Sequence, residues 1–143
     1  MRPLKRPESV LVVVYTREGE VLVLRRRRPA DFWQSVTGSL DWEETDPLDT
    51  ARRELAEETG LRDVAIIDCR HRNRFPILPA WQARYGEARE NLEYVFRAEL
   101  PGRLPVVLNP REHSEYLWLP RAAAAARVAS WTNREAIERF VAG

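Results

Sequence analysis

One cysteine, Cys69, stands in 143 residues, so no intramolecular disulfide can staple the fold and a cysteine-based zinc site is not expected. Cys69 is read as a small core hydrophobe, and a chain without cross-links fits a reducing, cytoplasmic compartment. Charge of one sign is equally lacking. Lys plus Arg total 23 against 22 for Asp plus Glu, which leaves no global field to recruit nucleic acid, so none is expected as a partner. An anionic ligand must be met by local charge. Long hydrophobic runs are missing too. The apolar stretch near the start, "VLVVVY" (10–15), is about six residues, far short of the roughly 20 that a membrane-spanning helix needs. It leads into charged residues without a small-residue cleavage pattern and is expected to be a strand, not a targeting segment. With no internal repeat and no linker, residues 1–143 are expected to form one domain with a core of its own.

What is present alternates between strand and helix signals. "SVLVVVYT" (9–16), the turn "REGE" (17–20) with Gly19, and "VLVLRR" (21–26) read as a hairpin with a buried strand. "WQSVTG" (33–38) reads as one short strand ending at a glycine. In "TDPLDTARRELAEETG", Asp46 can cap a helix, Pro47 suits its first position and Gly60 the residue just past its end. "DVAIIDCR" (63–70), "NLEYVFRAEL" (91–100) and "EYLWLP" (115–120) read as further strands. The polar, proline-bearing "HRNRFPILPAWQARYGEARE" between the first two reads as a long loop around a short element. Two helices are expected at the end. One is the alanine-rich 120–129; the other is 132–143, which Thr132 and Glu135 would open as a capping box, with Ala136, Ile137, Phe140 and Val141 on one face. Strands interleaved with a central helix and followed by two more indicate an α/β domain with a mixed sheet.

The chemistry concentrates in "RRELAEETGL" (52–61). Glu54, Glu57 and Glu58 are three and four residues apart, which puts their side chains on one helical face, where like charges repel. Either the face is solvated and relieved by Arg52, Arg53 and Arg62, or its partner is a divalent cation. Hard cations favour carboxylate oxygens, and Mg²⁺ keeps several waters, so a shallow acidic face suits it.

The surrounding residues choose between these readings. "GSLDWEETDPLDTARRELAEETGL" (38–61) closely resembles the signature of the Nudix hydrolases, G-x5-E-x7-R-E-U-x-E-E-x-G-U with U a bulky aliphatic. Gly38, Glu44, Arg53, Glu54, Leu55, Glu57, Glu58, Gly60 and Leu61 match. Eight residues separate Glu44 from Arg53, one more than the pattern's seven. The insertion falls near "TDPLD", ahead of the helical face, and leaves Glu43 and Glu44 as rivals for the loop-glutamate position. Glu44→Gln is therefore expected to be tolerated, with Glu43 substituting in part. The resemblance implies a Nudix-type α/β/α sandwich with a mixed β-sheet. It also implies a site using Mg²⁺, with Mn²⁺ able to substitute, in which Gly38 brings the backbone close to metals held by Glu54, Glu57 and Glu58 and Arg53 steadies the carboxylates. Glu112, on a loop before a strand, would be a further metal ligand or the general base, with Glu115 its rival; His113 is expected to be structural.

Beyond that box, "KRPESVLVVVYT" (5–16), "DFWQSVTGS" (31–39), "DCRHR" (68–72) and "SWTNREAIERFV" (130–141) are similar to the Nudix enzymes of bacterial folate synthesis that split 7,8-dihydroneopterin 3′-triphosphate into monophosphate and pyrophosphate. The partner implied is a small-molecule triphosphate. A pterin is flat and rich in hydrogen-bonding groups, so it wants an aromatic plane and amides; Phe32, Trp33, Gln34, Trp131 and Asn133 are the candidates. The "RRRR" run (25–28), if extended, would alternate sides, sending two arginines toward the ligand and two to solvent; Arg27 is the candidate taken for phosphate. Nucleoside triphosphates and diadenosine polyphosphates stand as alternative substrates, and a non-catalytic ligand sensor as an alternative function.

Overall fold

The computed structural model describes residues 3–141. Seven strands form one sheet: β1 (Glu8–Thr16), β2 (Glu20–Arg26), β3 (Trp33–Gln34), β4 (Val36–Ser39), β5 (Ile67–Pro76), β6 (Glu90–Leu100) and β7 (His113–Pro120). The helices are α1 (Pro47–Thr59), the single-turn α2 (Gln82–Tyr85), α3 (Arg121–Arg127) and α4 (Trp131–Phe140). β1 lies at the centre, parallel to β6 and antiparallel to β2 and β4, so the sheet is mixed. Its unbroken apolar sequence follows from burial on both faces. Val10, Val12 and Val14 pack toward α1 with Ala51, Leu55 and Phe96, while Leu11, Val13 and Tyr15 pack toward α3 and α4 with Ala124, Ala136 and Ile137. The result is the expected α/β/α sandwich. Among the described residues no helix is long and apolar enough to cross a membrane.

α1 begins and ends as its sequence indicates: the Asp46 side chain accepts from the Leu48 amide, Pro47 opens the helix, and Gly60 adopts a left-handed φ of 74°. Three expectations need correction. "WQSVTG" is broken at Ser35 into β3, paired with β2, and β4, paired with β1. β5 starts at Ile67 and takes in "HRNRFP", expected to be loop; pairing with β6 through a bulge between Asp68 and His71 holds these polar residues extended. α4 is capped by Ser130, whose hydroxyl accepts from the amides of Thr132 and Asn133. Glu135 is drawn away from any capping box by His71, 2.8 Å from its carboxylate.

Candidate active site

The i, i+4 pair Glu54 and Glu58 faces inward from α1, 9% and 1% exposed, while Glu57 turns outward. Gly38 on β4 lies directly against Glu54: a Cβ there would fall within the Glu54 carboxylate, so only glycine lets strand and helix approach this closely. Arg53 organises the rest. Its guanidinium reaches Glu44 at 2.8 Å, Glu54 at 2.9 Å and Glu57 at 3.3 Å, and donates to the Ser39 carbonyl at 3.0 Å. Glu44 also accepts from the Asp41 amide at 2.8 Å, while Glu43 stays exposed. Glu44, not Glu43, is the loop glutamate bonded to Arg53, an arrangement that counts against Glu43 replacing it. α1 runs unbroken from Pro47 to Thr59, so Arg53, Glu54, Glu57 and Glu58 keep helical register with one another.

A second wall comes from the distant segment 101–112. The Val107 amide donates to the Thr59 carbonyl at 2.9 Å and ties that segment to the end of α1, while the turn carrying Glu112 and His113 is held beside Glu58 by the pairing of β7 with β2, Arg26 opposite His113. Glu58, Glu112 and His113 each offer a ligand atom, all within 4.8 Å of one another. His113 is 3% exposed, with Nε2 3.3 Å from the Gln34 amide nitrogen and 3.8 Å from Glu58. Burial, aided by Arg26, pushes its pKa down to about 4, so the ring is neutral at physiological pH and can donate a lone pair.

Both carboxylate oxygens of Glu58 are buried without a hydrogen-bond partner among the described residues. Burial, the neighbouring Glu54 and Glu112 all push its pKa well above the ordinary carboxylate value. An orphaned carboxylate beside a second carboxylate and a neutral imidazole is a donor set that a divalent cation completes. Cationic side chains approach the same place. The Lys5 ammonium is pulled below the ordinary lysine value by desolvation and by Arg84 and Arg26, with Glu54 and Glu112 opposing. Arg26 lies 5.7 Å over the Phe32 ring and 5.6 Å over Trp81. A negatively charged ligand reaching the carboxylates through bound cations would meet these groups on its other side.

A family model of the NUDIX domain matches residues 5–140. The chain belongs to the Nudix hydrolase family. It is 44% identical over 143 residues to the dihydroneopterin triphosphate diphosphatase of Escherichia coli K12, covering 96% of this chain and 93% of that protein. The enzyme of the same name from Haemophilus influenzae is 36% identical, over 99% of this chain and 91% of its own. The solved structure of the E. coli dihydroneopterin triphosphate pyrophosphohydrolase superposes with a TM-score of 0.90, 42% identity and 98% coverage of both chains. A Caenorhabditis elegans Ap4A hydrolase matches with a TM-score of 0.71 at 19% identity, which is a likeness of fold alone.

The predicted residues do not all fall together in this Nudix site. Gly38, Arg53, Glu54, Glu57, Glu58 and Glu112 come together. Trp33 does not join them as a stacking plane: it is 7% exposed in the α3–α4 core, beneath the Arg127 guanidinium at 5.2 Å. Asn133 is likewise buried, its side-chain oxygen accepting from the Ser35 amide at 2.8 Å, and Gln34 is turned to His113. Phe32 stands edge-on to Trp81, and Trp131 is half exposed. Arg27 lies past the end of β2, its side chain on the Pro110 carbonyl and its amide on the Glu112 carbonyl at 2.9 Å, so it braces the Glu112 turn. The bulge at Arg25–Arg26 breaks the alternation expected of the run. Lys5 escapes sequence reasoning because nothing local marks it, and Arg26, marked only as part of its run, and His113, expected to be structural, join it beside the carboxylates through tertiary packing alone.

Proposed function

We propose that this Nudix hydrolase cleaves 7,8-dihydroneopterin 3′-triphosphate to the monophosphate and pyrophosphate in the cytoplasm, using Mg²⁺, with Mn²⁺ as a substitute. The observation that carries the substrate is likeness at 44% identity over nearly the whole chain to enzymes named for that reaction, well beyond the metal box. Water adds to one phosphorus of the α–β anhydride, the bridging P–O bond breaks, and the monophosphate and pyrophosphate separate, one of them carrying the water oxygen. Glu54, Glu57, Glu58 and Glu112, with His113, would hold the divalent ions, which when bound neutralise phosphate oxygens and acidify water. Arg53 fixes the carboxylates through Glu44, Glu54 and Glu57, so their geometry is set before substrate arrives. Glu112, the exposed carboxylate of the cluster, takes the proton from the attacking water. Lys5 and Arg26 pair with the triphosphate, and Phe32 and Trp131 supply apolar edges for the heterocycle.

Product analysis with dihydroneopterin triphosphate, the nucleoside triphosphates and diadenosine polyphosphates at matched concentration tests the reading. Highest kcat/KM on the pterin, with pyrophosphate as co-product, is expected; a preference for diadenosine polyphosphates would overturn it. A sensor without turnover is disfavoured because all three helical glutamates are present.

A further inference from the structure

The sheet face bearing α3 and α4 changes character along its length. Under the helices it is apolar, with Leu11, Val13 and Val95 against Ala124, Ala136 and Ile137. One step along the strands it turns polar. Asn73 on β5 pairs with Glu93 on β6, Glu93 with Ser9 on β1, and Ser9 with Ser39 on β4. Paired residues share a face, so these four side chains form an unbroken row across four strands, on the order of 15 Å at the usual strand spacing. Ser9 and Ser39 keep partial exposure, so the row reaches solvent at that end, and Thr132 at the start of α4 borders it at Glu93.

A polar row in the middle of a sheet is costly unless its groups are satisfied, and here acceptor capacity is left over. Glu93 is 4% exposed; Asn73 donates to it at 3.2 Å, and the Thr132 hydroxyl stands beside it. A carboxylate has about four lone-pair positions, so two donors leave half unused. Asn91, also 4% exposed, donates to the Ser9 hydroxyl at 2.7 Å, but its own oxygen is buried without a partner among the described residues, as is the Ser35 hydroxyl. The surplus is all acceptors and one rotatable hydroxyl. Such a surface wants a ligand edge rich in N–H groups.

We infer that the row Asn73, Glu93, Ser9 and Ser39 is the floor on which the substrate's heterocycle is read. Glu93 accepts paired N–H bonds from the ring N–H and exocyclic amine of a 2-amino-4-oxopyrimidine edge. Two adjacent donors match the two oxygens of a carboxylate as a fork matches a fork. Pterins and guanine present that edge; adenine does not. The inference rests on the triphosphate-hydrolase reading above and adds the chemistry by which the base is chosen.

The test compares wild type, Glu93→Gln and Ser39→Val on dihydroneopterin triphosphate, GTP, ATP and inorganic tripolyphosphate, with neopterin binding followed by its fluorescence. Glu93→Gln, which replaces an acceptor with a donor, should raise KM for the pterin and GTP roughly 10- to 100-fold and leave ATP and tripolyphosphate within about twofold. It should also abolish saturable neopterin binding. Ser39→Val, at the open end of the row, should shift the same two substrates by less and serves as the probe if Glu93→Gln loses its cooperative melt. Equal losses on all four substrates would make the row architectural and overturn the inference, as would unchanged pterin KM. If wild type ignores the pterin but Glu93→Gln still costs it GTP, the substrate reading fails and the floor stands. If both variants turn over the pterin as wild type does, the floor fails and the substrate reading stands.

Discussion

Glu58 and Glu93 are both buried carboxylates, and burial pushes the pKa of each upward. Glu58 belongs to a helical face spelled out in ten consecutive residues and leaves both oxygens to a ligand of opposite charge. Glu93 belongs to a row that no stretch of sequence contains, assembled from four strands and partly satisfied by Asn73. The difference teaches that one fold can hold two kinds of acidic site. Under the proposed function, the site made by helical spacing faces a cation and does chemistry, and the one made by strand register faces neutral donors and makes a choice.

The sharpest way to break this comparison is Glu58→Gln. Turnover should fall on every substrate alike, by more than the roughly 10- to 100-fold expected for groups that only orient metal ligands. A loss confined to one substrate would give Glu58 the role assigned to Glu93. Gly38→Ala comes next, because its methyl displaces the Glu54 carboxylate; metal affinity measured by titration calorimetry should drop about 10- to 100-fold with the melting temperature little changed. Glu44→Gln should cost activity at the lower end of that range by freeing Arg53, while Glu43→Gln leaves kinetics at wild-type values. Equal effects of the two would revive Glu43 as a substitute.

The smallest effect is on stability. Glu54, Glu58 and Glu93 all have pKa values raised by burial. A carboxyl whose folded pKa lies above its unfolded value contributes full stability below the latter and loses it as pH rises through the former. In the metal-free protein these three carboxyls should therefore lower the melting temperature as pH climbs from the ordinary carboxylate value of 4.5 toward neutrality, against His113, whose pKa of about 4 works the other way, so the Glu58 share is read as the difference between wild type and Glu58→Gln. Divalent ions, by binding Glu58 in its charged form, should restore part of the loss. Scanning calorimetry across that range, with and without Mg²⁺, measures it; a profile that Mg²⁺ does not alter would remove Glu58 from the ligand set.

How much of the molecule is legible in its sequence follows the same division. α1, its caps, the β1–β2 hairpin and the carboxylate face rest on spacings within a few residues, and each is readable. Gly38 is readable as part of the box, although its reason, the Glu54 carboxylate against its Cα, needs coordinates. The C-terminal half of β5 is not readable as strand because "HRNRF" carries no apolar alternation; pairing with β6 holds it in the sheet. Trp33 and Asn133 pass for ligand contacts, because a large aromatic or an amide looks the same in sequence whether it packs or binds. His113 reads as structural, and its neighbourhood with Glu58 depends on the pairing of β7 with β2, which no local spacing announces.

The parallel pairing of β1 with β6, Glu8 opposite Leu92 through Thr16 opposite Leu100, carries a kinetic consequence. Joining these strands closes a loop of roughly 80 residues, and that entropy must be met before any contact across it rewards the chain. During synthesis β1 can pair early with β2 and β4, but its other edge stays open until β6 emerges, an invitation to pair with another chain. β1 carries β4 and Gly38 on one side and binds the Glu93 strand on the other, so the catalytic face and the recognition row share one late folding event. A chain caught before it has neither.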